Sequence, residues 1–382
     1  MASAPCLRAV ATLLIGAAVV TACSGSQRTG AAPGTPPIPG APVAAGQPGG
    51  VPRPTGPAHV TTVHGNLLAE VVTFEAGIPK ADSEGFVHPS DADLTAFGEL
   101  VDDILAGRTE AAAAIAANYG YELVRFIDKG DHDAESLLLR EPGRPPRGWG
   151  MYLFRQAPVP STPGTAQATS VGTAQATSPG TAQATSPGTA QATAPGTAQA
   201  PDPAQPQAII VEAPHPLADA GTPALAVHAY RAVHARALLV AGTHRRANLD
   251  RSADVAHQLR TVFEVVHERQ AAGMVVLQFH GFSARKHPGY PKVILGTDEG
   301  QAGSLPEELA ADLKLRHIRV GLCNGIDWRD LCGVTNVQSR RTNGGRFIHF
   351  ELDDTVRDAD HPFLKALRAV LVPTSTPTPS NG

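Results

Sequence analysis

Hydrophobic and polar positions in the second half of the chain alternate in a way that predicts an α/β fold. Short apolar runs, typical of buried strands, are separated by longer segments in which apolar residues recur every three or four positions, as on one face of a helix. The predicted strands are AIIVEA, ALLVAGT, MVVLQF, RHIRVGL and GRFIHFEL, and the predicted helices cover 223–234, 253–272, 306–315 and 361–371. We therefore expect three layers, with helices on both faces of a mixed, largely parallel sheet.

The first half of the chain predicts two helices, over 90–105 and 109–119, and the strand-like runs YELVRFID and GWGMYLFRQ. So few strands are a poor basis for a separate sheet with its own core. We therefore expect these strands to join the second half in one sheet, with GWGMYLFRQ and AIIVEA as neighbours. Two domains joined by a linker are the alternative.

A low-complexity segment, 158–206, separates those two strand-like runs. It contains an eight-residue repeat, GTAQATSP or close variants, with glycines in step at Gly164, Gly172, Gly180, Gly188 and Gly196. Such a segment has almost no large apolar side chain, so burial cannot offset the entropy that ordering would remove. We expect a disordered insertion within one α/β domain that covers 58–372, because long surface insertions are tolerated.

The N-terminal residues have the features of an export signal. A short segment containing Arg8 precedes an apolar run, and small residues then lead to Cys23. This arrangement resembles a bacterial lipoprotein signal, in which 1–22 is removed and Cys23 becomes the lipidated first residue. The protein would then be anchored in the cell membrane, facing the extracytoplasmic side. A plain signal peptide or a transmembrane anchor is the alternative, although the apolar run is short for a span.

The residues on either side of the expected domain have a similar low-complexity composition. Both 23–57 and 373–382 are rich in Pro together with Gly, Ala, Ser or Thr. They predict a disordered tether and a disordered tail. Contact with the membrane is therefore expected through the lipid alone.

Charge and cysteine content narrow the possible classes of protein. A net charge of −4 and a pI near 6.4 argue against a nucleic-acid-binding protein, which usually has a basic face. Of the four cysteines, Cys6 would be removed with the signal and Cys23 would be lipidated. In an oxidising compartment, Cys323 and Cys332 most simply form a disulfide. A zinc-binding pair is the alternative, but the chain offers nothing to complete a thiolate set.

Three histidines follow apolar runs that read as strands. They are His215 in AIIVEAPHP, His244 in ALLVAGTHR and His280 in MVVLQFHG. In open α/β sheets, ligands bind beyond the carboxyl ends of the strands, so these imidazoles can meet at one edge. The pattern predicts a metal or catalytic site, and ordinary surface or core histidines are the alternative.

Carboxylates near these histidines complete a possible metal set. Asp219 follows His215 by four residues, so the two can chelate one ion if the segment turns. Together with His280 they offer two imidazoles and a carboxylate, which leaves a fourth position for water on a catalytic zinc ion. Glu351, in the strand-like run FIHFEL, is a candidate general base. An exposed strand-end residue in an acidic run is the alternative for Glu351.

The segment after the second of these strands is unusually polar. In GTHRRANLDRSADVAH, arginine and asparagine side chains suit a substrate carboxylate, because guanidinium forms bidentate pairs with it. The alternative is a surface network of ion pairs with Asp250 and Asp254.

The order of these features resembles the carboxypeptidase-like zinc amidohydrolases, in particular the N-formylglutamate amidohydrolases and the poly-γ-glutamate hydrolases. The resemblance covers about 121–371 without the repeat. It implies zinc on His215, Asp219 and His280, and Glu351 as the catalytic base. It also implies recognition of a substrate carboxylate by two further residues, Arg246 and Asn248.

Two departures from the family pattern leave the ligand set open. Carboxypeptidases usually have the acid three residues after the histidine, whereas here Asp219 is four residues away. Glu212 is therefore a substitute acid. His244 lies where the family needs no ligand, so it remains an alternative ligand in a three-histidine site.

Three hypotheses about function follow. The first is a secreted, membrane-anchored zinc amide hydrolase that acts on a peptide, a cell-wall fragment or a glutamyl amide. The second is a non-catalytic lipoprotein that uses the same fold to bind a ligand or partner. The third is another metal-dependent hydrolase, such as a phosphoesterase. Metal content separates the second hypothesis from the other two.

Overall fold

One mixed sheet runs through the part of the chain that the structure describes. The structure is a computed structural model, and it describes residues 59–142, 147–155, 208–297, 303–342 and 346–372. The predicted signal peptide, Cys23, tether, repeat segment and tail lie outside these residues. Within them, no helix combines the length and apolar character that crossing a membrane requires.

The sheet has a parallel centre with antiparallel flanks. Its ten strands pair in the order β1-β2-β3-β4-β6-β5-β7-β10-β8-β9 within the described residues. The four central strands, β6, β5, β7 and β10, are parallel, whereas β4 and β8 flank them in antiparallel pairs. The strands are β1 Thr62–Gly65, β2 Glu122–Asp128, β3 Ala134–Arg140, β4 Met151–Arg155, β5 Ile209–Ala213, β6 Ala237–Val240, β7 Val275–Phe282, β8 Val293–Gly296, β9 Val320–Leu322 and β10 Arg346–Asp353.

Helices cover both faces of this sheet. Helices α1, α4, α6 and α8 share a hydrophobic core with one face, and α2, α3 and α5 share a second core with the other. The prediction of a three-layer α/β fold is therefore confirmed. The helices are α1 Leu67–Gly77, α2 Asp91–Leu105, α3 Thr109–Asn118, α4 Thr222–Ala232, α5 Val262–Ala271, α6 Ser304–Leu315, α7 Val337–Arg341 and α8 Pro362–Leu371.

Strands from both sides of the repeat segment belong to the same sheet, but β4 and β5 are not neighbours. The structure places β6 between them, antiparallel to β4 and parallel to β5. The predicted adjacency was therefore wrong. The physical reason is the β5-α4-β6 crossover, which returns the chain beside β5 and leaves only the outer edge of β6 for β4.

Several elements differ from their predicted bounds. The helix predicted over 253–272 begins at Val262, because the side chain of Thr261 accepts a hydrogen bond from the backbone of Glu264 and caps it there. The strand β7 continues to Phe282, so that His280 lies inside the strand rather than after it. The strand predicted over 316–322 is limited to β9, because the backbone N–H groups of 316–318 donate to carbonyl oxygens in the last turn of α6 and form the turn that ends this helix.

Strand alternation assigns one face of β7 and β10 to apolar packing and the other to polar side chains. Leu277 and Phe279 of β7 pack in the core of α4 and α8, whereas Gln278 and His280 point to the opposite face. Register then places His349 beside Gln278 and Glu351 beside His280. The fold thus brings four polar side chains together on one face of the sheet. They lie between the core of α2, α3 and α5 and the loop that contains both cysteines. These side chains are Gln278, His280, His349 and Glu351.

Candidate metal centre

His215, Asp219 and His280 meet at one point at the end of the parallel strands. Their nearest polar atoms are separated by 3.2 Å from His215 Nδ1 to Asp219 Oδ2, 3.4 Å from His280 Nδ1 to the same oxygen, and 3.1 Å between the two Nδ1 atoms. All three residues are buried. In the described part of the chain, these are the residues whose ligand atoms cluster closely enough to hold a metal ion.

A single backbone turn brings His215 and Asp219, which are four residues apart, close together. Strand β5 ends at Ala213, and the backbone N–H of Asp219 donates to the carbonyl oxygen of His215. This turn brings both side chains to the same side. A spacing of four residues, instead of the three usual in carboxypeptidases, therefore still allows His215 and Asp219 to bind the same metal ion.

The separations within this group match those expected around zinc. Zinc binds imidazole nitrogen and carboxylate oxygen at about 2.0–2.1 Å in a tetrahedral arrangement, which sets neighbouring ligand atoms about 3.3 Å apart. The three observed distances lie within a few tenths of an ångström of that value. The residues present therefore fit a zinc ion.

The hydrogen bonds on the far side of the two histidines show how their rings could offer lone pairs to a cation. His215 Nε2 donates to Asp254 Oδ1 at 2.8 Å, and His280 Nε2 donates to Gln278 Oε1 at 2.7 Å. With Nε2 protonated, each neutral ring has its lone pair on Nδ1. Two such lone pairs at 3.1 Å beside a carboxylate repel unless a donor, a proton or a metal ion lies among them, and Arg245 Nη1, 3.4 Å from His215 Nδ1, is one such donor.

The carboxylates of the site are held in their ionised form. Burial acts to raise the pKa of Asp219, but Nδ1 of His215 and of His280, which donate to this carboxylate when the rings are protonated, outweigh burial and keep the pKa well below its usual range. Burial likewise opposes the hydrogen bond and charge of His215 and the charge of Arg245, which together hold the pKa of Asp254 at about 2. Arg245 also donates from Nη2 to Asp254 Oδ2 at 2.8 Å.

His349 and Glu351 lie beside the group formed by His215, Asp219 and His280 (the metal group), and they contact each other at 3.5 Å from His349 Nε2 to Glu351 Oε1. The ring of His349 lies 4.4 Å from that of His280, measured between centroids. Of the six buried side-chain nitrogen and oxygen atoms without a hydrogen bond in the described residues, three belong to this pair: both ring nitrogens of His349 and Oε2 of Glu351. Unpaired buried polar atoms are unfavourable, so their concentration here indicates that they serve a bound group.

Burial sets the protonation of this pair. Burial, helped by the charge that His215 carries when protonated, lowers the pKa of His349 to about 3, so the ring of His349 is neutral and has one N–H to donate. Burial raises the pKa of Glu351 to about 7. A cation in the adjacent group would lower the pKa of Glu351 and leave a carboxylate able to accept a proton at neutral pH.

A disulfide-bearing loop closes over His349. Cys323 and Cys332 are bonded, as predicted from their spacing and compartment. Gly333, which follows Cys332, has φ of +67°, and a Cβ atom at this position would lie 2.7 Å from Cγ of His349. Only glycine allows the loop to approach the ring this closely.

The other predicted site residues have different surroundings. The side chain of Asn248 accepts from the backbone N–H of Phe86 and donates to its carbonyl oxygen and to Ser252. Its carboxamide therefore anchors the loop that contains Phe86. His244 is not part of the metal group, and its Nδ1 accepts from the backbone N–H of Arg246. Glu212 lies in the interior, and the structure brings Asp219 rather than Glu212 to the two histidines.

Sequence reasoning missed four residues of the site, and two of them had a readable signal. His349 precedes Glu351 by two residues, and Gln278 precedes His280 by two. Residues two apart in a strand share a face, so the strand assignment already placed each pair together. The ion pair between the other two, Arg245 and Asp254, belongs to the network predicted as the alternative for this segment, but nothing in the local sequence indicated that Asp254 bonds to His215.

Comparisons with known proteins found only distant likeness. No protein-family model matches the chain, and no curated protein matches it. A bacteriophage poly-γ-glutamate hydrolase aligns over 44% of this chain and 83% of its own, with 12% sequence identity and a TM-score of 0.32. An N-formylglutamate amidohydrolase from Ralstonia eutropha JMP134 aligns over 45% of this chain and 93% of its own, with 13% identity and a TM-score of 0.28.

Proposed function

We propose that this protein is a zinc-dependent amide hydrolase that acts outside the cytoplasm on a peptide, a cell-wall fragment or a glutamyl amide. The observation that carries the proposal is the convergence of two imidazole lone pairs and one carboxylate at tetrahedral ligand spacing. Glu351 lies on the neighbouring strand, level with His280. A metal ligand set beside a buried carboxylate is the arrangement that metal-assisted hydrolysis requires.

His215, Asp219 and His280 would hold the zinc and leave a fourth position open. When bound there, zinc polarises the substrate carbonyl and makes water more acidic. Asp254 and Arg245 keep the ring of His215 in the tautomer that offers Nδ1 to the metal. Such a partner for the second ring nitrogen strengthens a histidine ligand.

Glu351 moves the proton in this scheme. Its carboxylate accepts a proton from the attacking water as the carbon–oxygen bond forms. It then gives that proton to the amide nitrogen as the carbon–nitrogen bond breaks, so that the amine leaves neutral. The position of Glu351 suits both steps, because its carboxylate is buried and lies level with His280 on the neighbouring strand.

Arg246 is the proposed contact for a carboxylate on the substrate. It is exposed, its backbone N–H donates to His244 Nδ1, and its carbonyl oxygen accepts from the backbone N–H of Asp82. We do not assign Asn248 to the substrate, because the interior of the protein already uses its hydrogen bonds.

His349 is proposed to donate a hydrogen bond to the reacting group, and His349→Phe tests this. Phenylalanine fills the same space beside His280 and Gly333 but has no ring nitrogen. We expect unchanged zinc content and an equal or higher melting temperature, because the change removes unpaired buried nitrogens. Hydrolysis should fall about tenfold or more, the effect of one lost hydrogen bond in the transition state. A lower melting temperature with unchanged hydrolysis would show that His349 has a structural role instead.

The membrane anchor is proposed from the sequence alone, and Cys23→Ser tests it. Without a lipidated cysteine, the protein should move from the membrane fraction to the soluble fraction, because the acyl chains supply the membrane affinity. Cys6→Ser is the matched control, since Cys6 lies in the segment that processing would remove and its replacement should leave fractionation unchanged. Membrane association of the Cys23→Ser variant would contradict lipidation at this residue.

Substrate profiling tests the reaction class. The zinc-loaded protein should hydrolyse amide bonds, and should prefer peptides with a free carboxylate to the same peptides with that group blocked. Hydrolysis of phosphate esters without amide hydrolysis would contradict the proposal and favour a phosphoesterase.

A further inference from the structure

A network of fully buried polar side chains lies behind His280, and the proposed reaction does not use this network. Gln278 of β7, Glu212 of β5, His267 of α5 and Gln338 of α7 are all 0% exposed. Buried polar groups of this kind are unfavourable unless every one is hydrogen-bonded. The hydrogen bonds among these residues therefore show which side chain the network holds in place.

Gln278 lies at the centre of this network, and its carboxamide is fully hydrogen-bonded. Its Nε2 donates to Glu212 Oε2 at 2.8 Å and to Gln338 Oε1 at 3.2 Å. Its Oε1 accepts from His280 Nε2 at 2.7 Å and from Asn336 Nδ2. Two donations and two acceptances are the full capacity of an amide side chain.

The partner on β5 decides which way this amide points. Glu212 also accepts from His267 Nδ1 at 2.7 Å, and the attraction of its charge outweighs burial and keeps the pKa of His267 above its usual value. An ionised carboxylate only accepts, so the atom of Gln278 that faces Glu212 is the NH₂ group. The carbonyl oxygen is then fixed toward His280.

This orientation determines where the proton of His280 resides. A carbonyl oxygen requires a donor, so Nε2 carries the hydrogen and Nδ1 carries the lone pair that faces His215 and Asp219. A partner that left Nε2 free would allow the proton to move to Nδ1, where it would occupy the position of a metal ion.

We propose that Gln278 is a positioning residue that fixes the tautomer of His280, with the Glu212–His267 pair holding its amide in the required orientation. The consequence for zinc affinity rests on the proposed function, whereas the consequence for the tautomer does not. Partners of this kind typically change metal affinity by about 10-fold to 100-fold when removed.

Gln278→Leu is the principal variant, and Gln270→Leu is its matched control. Gln270 is also a buried glutamine, on α5, but it bonds to a backbone carbonyl of its own helix and not to His280. The first readout is the ring ¹⁵N spectrum of the metal-free, full-length protein labelled on histidine, with His280 assigned from a His280→Gln sample. The second is the zinc dissociation constant measured by competition with a chelator.

In wild type and in Gln270→Leu, the spectrum should show the hydrogen of His280 on Nε2. In Gln278→Leu, that preference should be lost and zinc should bind about 10-fold to 100-fold more weakly. An unchanged tautomer in folded Gln278→Leu would overturn the inference. If wild type shows the fixed tautomer but binds no zinc, the proposed function fails while the role of Gln278 stands.

A double variant keeps the inference falsifiable if Gln278→Leu does not fold. Glu212→Gln combined with Gln278→Glu exchanges the carboxylate and the amide, so an oxygen still accepts from His280 Nε2 and an amide still donates between the two strands, whereas the donation from residue 278 to Gln338 Oε1 is lost. This variant should retain the wild-type tautomer and zinc affinity. Loss of the tautomer in the folded double variant would overturn the inference.

Discussion

Replacing either His215 or His280 by alanine should abolish stoichiometric zinc binding. Each residue supplies one of three ligand atoms in a buried group, and water is a poor substitute for a directional imidazole ligand. The loss should be larger than that caused by any partner of these rings, because a bond to the metal is removed rather than reoriented. Metal analysis of each purified variant after dialysis measures the effect.

His244→Ala is the matched control for this experiment. His244 also follows a central strand, but the structure leaves it outside the metal group and about as exposed as its loop neighbours. Its replacement should leave zinc content unchanged. Full occupancy in both His215→Ala and His280→Ala would show that these histidines are ordinary buried residues and would favour a non-catalytic binding lipoprotein.

Glu351→Gln should separate chemistry from metal binding. Glutamine keeps the size of the side chain but cannot accept the proton, so zinc should remain bound while hydrolysis falls by roughly a hundredfold or more. The result requires that Glu351 acts as a base and not as a ligand, in agreement with its place outside the group formed by His215, Asp219 and His280.

Glu75→Gln is a control with the same chemical change. Glu75 lies on α1, is half-buried, and also has a pKa raised to about 7 by burial, but it is not part of the metal group. Its replacement should leave hydrolysis near the wild-type rate. A Glu351→Gln enzyme with near-wild-type turnover would contradict the role of Glu351 as the proton acceptor.

Local patterns predicted the central part of the fold well. The apolar run AIIVEA became β5, and the run GRFIHFEL became β10 with its polar residues on one face. The helix predicted over 90–105 was confirmed because Ser90 forms a capping box with Asp93, and both signals lie in the local sequence. Such elements are decided by periodicity and caps that neighbouring residues provide.

Other elements depended on contacts between distant parts of the chain. The strands β1, β3 and β8 were not predicted, because the runs TVHG and VILG lie in segments that also contain polar residues and glycine, and β3 begins with polar residues. The position of β6 between β4 and β5 follows from a crossover that no local pattern reports. Pairing partners of this kind are set by tertiary packing rather than by propensity.

The site shows the same division. Spacing alone suggested that His215 and Asp219 can share an ion, and the structure places their ligand atoms together. The sequence did not reveal that Asp254 lies behind His215, since 39 positions separate them. It also assigned Asn248 to a substrate, whereas the folded chain uses that side chain to hold the backbone of Phe86.

The most direct test of the account is the metal content of the full-length protein, purified in detergent and dialysed against trace zinc. The account predicts stoichiometric zinc that a chelator removes and that returns on addition of the ion, because the three ligand atoms are already arranged at tetrahedral spacing. A folded protein that retains no zinc under these conditions would contradict the central claim that His215, Asp219 and His280 form a metal centre.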